Sequence, residues 1–140
     1  MSQKTQRHTF LSFDVGEKRI GVAQGDSEVR MPFPLTTILV DGLEMHRVRE
    51  LIAEVSPTQV IVGYPRNQQG EATAQTAVSE QFANQLRRLD IDVVFQDESL
   101  TSVLAEQYLK KNKKTYTKAD IDSHAAAIIL GDFLEQTYGY

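Results

Sequence analysis

Three carboxylates stand where a folded chain has little structural use for them. Asp14 closes an apolar run, Glu98 closes another, and Asp122 lies on the apolar face of a late helical segment. An ionised acid is costly to desolvate unless it is paired or bound to a cation, and three converging acids repel one another. Ligands that offer only oxygen suit Mg²⁺ or Mn²⁺ rather than zinc. The commonest use of such a site is hydrolysis or transfer at phosphate. The pattern therefore predicts a divalent-metal site in which Asp14, Glu98 and Asp122 are both ligands and catalytic acids.

Each acid has a plainer competing explanation. Asp14 could cap the turn at Gly16, although aspartate is depleted in strands and this one shares its side of the pleat with Phe10 and Ser12. Asp122 could complement a helix dipole, a role that suits Asp120 better. Its own spacing to Ala126, Ile129 and Phe133 puts it in an apolar stripe. Of the adjacent pair Asp97 and Glu98, Glu98 is taken as the site residue and Asp97 as an acid approaching a helix. The spacing of Gly16 and Gly21 suggests a phosphate loop. Val22 and Ala23 stand where that motif needs Lys and Ser or Thr, which excludes it.

Basic and amide side chains supply candidate substrate contacts. Lys18 and Arg19 sit in the turn after Asp14. Arg66 and Asn67 belong to the segment Gly63 to Gly70, which reads as a substrate-binding loop. Lys110, Lys111, Lys113 and Lys114, with Lys118 close by, form a basic run suited to backbone phosphates or, more plainly, to a solvated loop. His8, His46 and His124 read as ordinary surface or packing residues.

Periodicity supplies the elements that must position these groups. Thr9 to Val15 reads as a central strand buried on both faces, Ile20 to Ala23 as a second, and Leu35 to Val40 as a third after Pro32 and Pro34. Short connections make these an antiparallel meander. Asp41 and Glu44 resemble a capping box for a helix carrying Val48, Leu51, Ile52 and Val55, which stops before Pro57. Val60 to Val62 is the next strand. A long helix then carries Val78, Phe82, Leu86 and Leu89, and a strand through Val93, Val94 and Phe95 ends in Asp97 and Glu98. Thr101 is placed to cap a helix with Leu104, Ala105 and Tyr108. Thr117 is placed to cap a last helix running to about Glu135, with the stripe Ile121, Ala125, Ile128, Ile129 and Phe133. The order predicts an α/β fold with a mixed sheet.

At 140 residues the chain is expected to form one domain over residues 1–140. It has no cysteine, which removes disulfides and thiolate metal sites together. Met1 to His8 are polar and basic, no apolar stretch approaches membrane-spanning length, and a cytoplasmic protein with no membrane partner is expected. A net charge of −4 argues against sequence-blind coating of nucleic acid while leaving room for a local basic patch.

Four segments in order carry a resemblance to a known family. They are Phe13, Asp14, Val15, Gly16 with Lys18, Arg19, Ile20, Gly21; then Val62, Gly63, Pro65, Asn67, Gly70; then Asp97, Glu98, Leu100, Thr101; and Asp122 with Ala126, Ile129, Leu130. Together they resemble the YqgF/RuvX family, named as pre-16S rRNA nucleases and related to Holliday junction resolvases within the ribonuclease H-like fold. The resemblance implies a five-stranded mixed sheet flanked by helices, with the first and fourth strands parallel. It also implies catalysis by Asp14, Glu98 and Asp122 with about two Mg²⁺ or Mn²⁺ ions. Family members often carry Arg directly after the catalytic Glu, where this chain has Ser99. The related resolvases often have an acid or histidine where it has Ala119.

The expected function is hydrolysis of phosphodiester bonds in the 5′-end maturation of pre-16S rRNA. The expected partner is nucleic acid, pre-rRNA or branched DNA, with a ribosome precursor as a further partner, and the protein is expected to be a monomer or weak homodimer. The alternatives are resolution of four-way DNA junctions by the same chemistry, or a nucleic-acid-binding module with a vestigial site. Asp14 to Gly21 also resembles the first phosphate segment of sugar-kinase and actin-type ATPases. Those need a second domain that 140 residues do not provide.

Overall fold

In the computed structural model, described for residues 7–67, 69–98, 101–112 and 115–139 with the side chains of 101–103 left aside, five strands form one sheet. Strands β1 (Thr9–Val15), β2 (Arg19–Asp26) and β3 (Phe33–Leu39) make the antiparallel meander; β4 (Gln59–Pro65) and β5 (Val93–Glu98) extend it in parallel. The strand order is β3-β2-β1-β4-β5, so β1 is central and β3 and β5 are edges. Helices α1 (Glu44–Val55) and α2 (Ala74–Arg87) cover one face. The long helix α4 (Lys118–Tyr138) crosses the other, with α3 (Thr101–Asn112) packed beside it.

The alternation of strand side chains separates two cores. Leu11, Phe13 and Val15 of β1 meet Val22, Val60 and Val62 of its neighbours and then Val48, Phe82 and Leu86 of α1 and α2. Phe10 instead joins Ala23 and Ile61 under Ala126, Ile129, Leu130 and Leu134 of α4. The β1–β4 and β4–β5 ladders place Ser12 beside Ile61, and Ile61 beside Val94, so Asp14, Gly63, Gln96 and Glu98 fall on the α4 face. Antiparallel pairing sets Gly21 directly opposite Asp14 on the same face.

Several boundaries differ from the pattern. β3 begins at Phe33 and includes Pro34, which an edge strand tolerates and which lies beside the register shift at Val22 and Ala23. β2 runs on to Asp26 because β1 pairs with it along its whole length. Gly63, Tyr64 and Pro65 are strand rather than loop, since each pairs with a residue of β5. The α1 N-cap is Leu43, without a side-chain cap. Asp41 instead makes a paired ion contact with Arg47 at 2.8 and 3.0 Å, and Glu44 accepts from the Gly42 N–H. Helix α2 ends at Arg87, ahead of a left-handed Asp90, which leaves Leu89 exposed outside the stripe. Among the described side chains of α3, Ala105 and Leu109 are buried, while Leu104 and Tyr108 are exposed. The capping expected of Thr101 lies outside the described side chains. Thr117 does cap α4, in a reciprocal box with Asp120, and the helix continues to Tyr138.

Candidate active site

Asp14 and Asp122 come together because α4 lies almost in contact with β2. At Gly21 a Cβ would overlap the carbonyl of Asp122, so only glycine admits the helix at this separation. Two hydroxyls anchor the same helix to the sheet. Ser12 Oγ donates to the Ala126 carbonyl at 2.8 Å, and Thr37 Oγ1 donates to the Ala119 carbonyl at 2.7 Å. Both use carbonyls to tie strand to helix, one on each side of Asp122 along α4.

The electrostatics follow from this proximity. Burial first, and then the negative charge of Asp122, push the Asp14 carboxyl up to about 6. Arg19, at the start of β2, lays its Nε 2.5 Å from Asp122 Oδ2. Arg19 thus faces an acid of the pair rather than open solvent. Glu98 closes β5 on the same face. Its Oε2 lies over Gly63, where a Cβ would collide with it and with Ile129. Gly63 follows Val62, the ladder partner of Phe13, which places it next to Asp14 with Glu98 on its other side.

The ends of β1, which carries Asp14, and of its neighbour β4 are held by α2. Gln75 Nε2 donates to the Val15 carbonyl, and Thr76 Oγ1 donates to the Pro65 carbonyl. Thr76 also forms the capping box with Thr73 that starts the helix. These two side chains were not singled out in the sequence, where the only signal was the Thr-x-x-Thr spacing at a helix start.

The donor set fits a hard divalent cation. All three donors are carboxylates, Asp122 acts electrostatically on Asp14, and Gly21 and Gly63 admit the Asp122 backbone and the Glu98 carboxylate where a side chain would exclude them. Among the described residues no three His, Cys, Asp or Glu side chains stand close enough to share one ion. Asp14 and Asp122 act on each other directly, while Glu98 stands over Gly63 on the strand beyond, with β4 between β1 and β5.

The other expected contact residues are less uniform. Lys18 is exposed in the β1–β2 turn, close to Arg19. Arg66 Nε pairs with Asp97 Oδ1 at 3.0 Å, and its guanidinium lies 4.8 Å over the Tyr64 ring. Asn67 organises its own loop, with Oδ1 accepting from the N–H groups of Gln69 and Glu71. Lys110 pairs with Glu106 one helical turn earlier at 3.3 Å, and Lys111 is exposed; Lys113 and Lys114 lie outside the described residues. His124, read as ordinary, stacks on Tyr108 at 5.1 Å.

A five-stranded mixed sheet with acids from β1, β5 and a helix crossing behind them defines a ribonuclease H-like domain with a candidate hydrolytic centre. Two solved structures share this fold. "T. thermophilus RuvC in complex with Holliday junction substrate" superposes with a TM-score of 0.60 over 94% of this chain and 96% of that one, at 13% identity. "Thermus thermophilus RuvC structure" superposes at 0.55, with the same coverage and 12% identity. Residues 8–136 match the family model described as RuvX, Holliday junction resolvase, and the chain belongs to that family. Among its relatives is a protein of Chromobacterium violaceum, 41% identical over 134 residues that span 90% of this chain and 96% of the relative. Another, from Chloroflexus aggregans, is 42% identical over 91% of this chain and 93% of its own. Both bear the name "Putative pre-16S rRNA nuclease". The family is one of nucleases, hydrolases of phosphodiester bonds. No helix among the described residues is long and apolar enough to cross a membrane.

Proposed function

We propose that this chain is a divalent-metal-dependent endonuclease that acts in the cytoplasm on the 5′ leader of pre-16S rRNA, with Asp14, Glu98 and Asp122 as its catalytic acids. The observation that carries the reading is the convergence of Asp14 and Asp122 where α4 rests on Gly21, with the Asp14 carboxyl pushed up to about 6. Arg19 already offsets the charge of Asp122, so the buried Asp14 carboxylate is the group that gains most from a cation.

Asp14, Asp122 and Glu98 would hold Mg²⁺ or Mn²⁺, two ions by expectation. When bound, such ions would supply activation of the attacking water and Lewis-acid stabilisation of charge at the scissile phosphate. The chain's own residues set the geometry. Ser12 and Thr37 hold α4, Gln75 and Thr76 hold the strand ends, and Gly21 and Gly63 keep the acids close. Arg19 neutralises Asp122 and, like Lys18 beside it, is assigned to holding a substrate phosphate. Lys18, Arg66, Asn67 and the lysines Lys110, Lys111, Lys113 and Lys114 are assigned to holding the substrate. The domain is taken to work as a unit of residues 1–140, as a monomer or weak homodimer.

The test is a direct comparison of substrates. Cleavage of a precursor rRNA carrying its 5′ leader and of a four-way DNA junction is measured with the same protein and the same Mn²⁺. Cutting of the leader to give a 5′ phosphate and a 3′ hydroxyl is expected. Preferential, symmetric cutting of the junction would replace the rRNA assignment with junction resolution. No metal-dependent cutting of either would overturn the enzyme reading.

A further inference from the structure

The edge of β5 carries an open cavity of about 400 Å³ that the acids do not use. It is lined by Tyr64, Arg66, Glu80, Phe95, Gln96, Asp97 and Gln136. That volume lies in the lower part of the range that accommodates small organic ligands, roughly 300–1,000 Å³. The cavity wraps around the unpaired side of an edge strand. Tyr64, Phe95 and Asp97 belong to the α2 face, while Gln96 and Gln136 come from the α4 side.

Its chemistry is specific. Tyr64 and Phe95 meet edge to face, with centroids 4.8 Å apart. Arg66 covers the Tyr64 ring at 4.8 Å, and Arg87 covers Phe95 at 5.1 Å. The two aromatics thus form a platform bracketed by guanidinium planes. Gln96 is almost wholly buried yet lines the cavity, so a polar amide with both donor and acceptor is held at its wall. Glu80 receives the Tyr64 hydroxyl at 2.6 Å, and Asp97 receives Arg66. Two acids in the lining disfavour a phosphate or carboxylate ligand. What suits aromatic and guanidinium planes, a buried amide and acceptor oxygens is a neutral flat ring with amino and carbonyl edges.

Position selects the source of that ring. Asp97 lines the cavity and the next residue, Glu98, is the acid on the opposite face of the strand. β5 is an edge strand, so a substrate strand passing over that edge can meet the cavity on one side and Glu98 on the other. We infer that this cavity receives one unstacked nucleobase of the substrate strand, a nucleotide or two from the scissile phosphate. The inference rests on the nuclease reading and adds to it a base contact where phosphate contacts alone were expected. Arg66 then serves the base as a stacking plane, which accords with its engagement by Tyr64 and Asp97.

The test uses the whole chain with Ca²⁺ and a set of RNA leaders in which 5-iodocytosine replaces one base at a time. Light couples this base to an aromatic ring stacked on it, and mass spectrometry identifies the residue joined. One substituted position near the cleavage site is expected to dominate, joined to Tyr64 or Phe95. Its yield should fall about tenfold in Gln96→Leu, whose near-equal side-chain volume keeps the strand packed. Bound and cleavable RNA that joins elsewhere, or nowhere, overturns the base cavity and leaves the nuclease reading standing. RNA that neither binds nor is cut overturns both.

Discussion

On the side of the sheet that meets α1 and α2, β1 presents Leu11, Phe13 and Val15, and, Ala83 apart, the buried neighbours across the interface are bulky. On the α4 side the same strand presents Phe10, Ser12 and Asp14, and the facing positions of β2 and β4 include Gly21, Ala23, Gly25 and Gly63. Large side chains hold α1 and α2 away from the strands at ordinary packing distance and give a dry core. Small ones let α4 approach until a backbone carbonyl rests on Gly21, and that approach brings Asp122 to Asp14. One face is therefore built for stability. The other gives up side-chain volume to place charge against charge.

The contrast can be broken from either side. The largest effect is expected at Asp14 itself. Asp14→Asn keeps the shape and removes the charge, so single-turnover cleavage should fall at least a thousandfold while circular dichroism shows the fold intact. Activity within about tenfold of wild type, only about 1.4 kcal/mol of barrier, would remove Asp14 from its role. Next comes Gly21→Ala, which pushes α4 outward. A displacement on the order of 1 Å can cost about a hundredfold in rate, and overpacking about 1–3 kcal/mol of stability. Both should appear together, in kinetics and in denaturant unfolding.

The opposite face should respond differently. Leu86→Ala, at a fully buried position of α2, is expected to cost about 2–5 kcal/mol in urea unfolding. The rate per folded molecule should stay within a few fold of wild type. A loss of rate matching that of Gly21→Ala would dissolve the distinction between the faces. The smallest effect belongs to the lysines. Changing Lys110, Lys111, Lys113 and Lys114 together to Gln should lower the slope of log affinity against log salt by about two, since each phosphate contact contributes roughly 0.7 to 0.9. An unchanged slope would make them a solvated helix end and loop, in keeping with the Lys110–Glu106 pair.

Much of the α4 face was legible in the sequence because an acid inside an apolar pattern is a local anomaly. Asp14 in a strand and Asp122 in a stripe with Ala126 and Ile129 stand out by spacing alone. The strand order and the parallel placement of β1 beside β4 depend on contacts far apart in sequence, and came from the resemblance instead. Periodicity also missed that Gly63 to Pro65 remain in the sheet. Gly and Pro read as loop, and only pairing with Gln96, Asp97 and Glu98 keeps them extended. Leu89 misled in the other direction, fitting the helical stripe by spacing while the left-handed Asp90 ends the helix before it. The platform of Tyr64 and Phe95 was illegible for a similar reason, since its rings come from two parallel strands joined by a helix.

The central claim, that folding holds the Asp14 carboxylate buried beside Asp122 at a cost that a bound divalent cation relieves, is tested most directly by thermal unfolding of wild type and Asp14→Asn, with and without Mn²⁺. The Asp14 carboxyl is raised from 3.8 to about 6 in the folded chain, so folding favours its protonated form. That preference is satisfied below pH 4 and is lost as the pH rises through about 6, a penalty on the order of 3 kcal/mol at pH 7.5. Without metal at pH 7.5, Asp14→Asn should melt on the order of 10 °C above wild type, and the gap should close toward pH 4. Mn²⁺ at a hundred times its dissociation constant should stabilise wild type by about 2.7 kcal/mol and leave the variant nearly unmoved. Equal melting temperatures without metal at pH 7.5, or an equal rise of both proteins with Mn²⁺, would contradict the account.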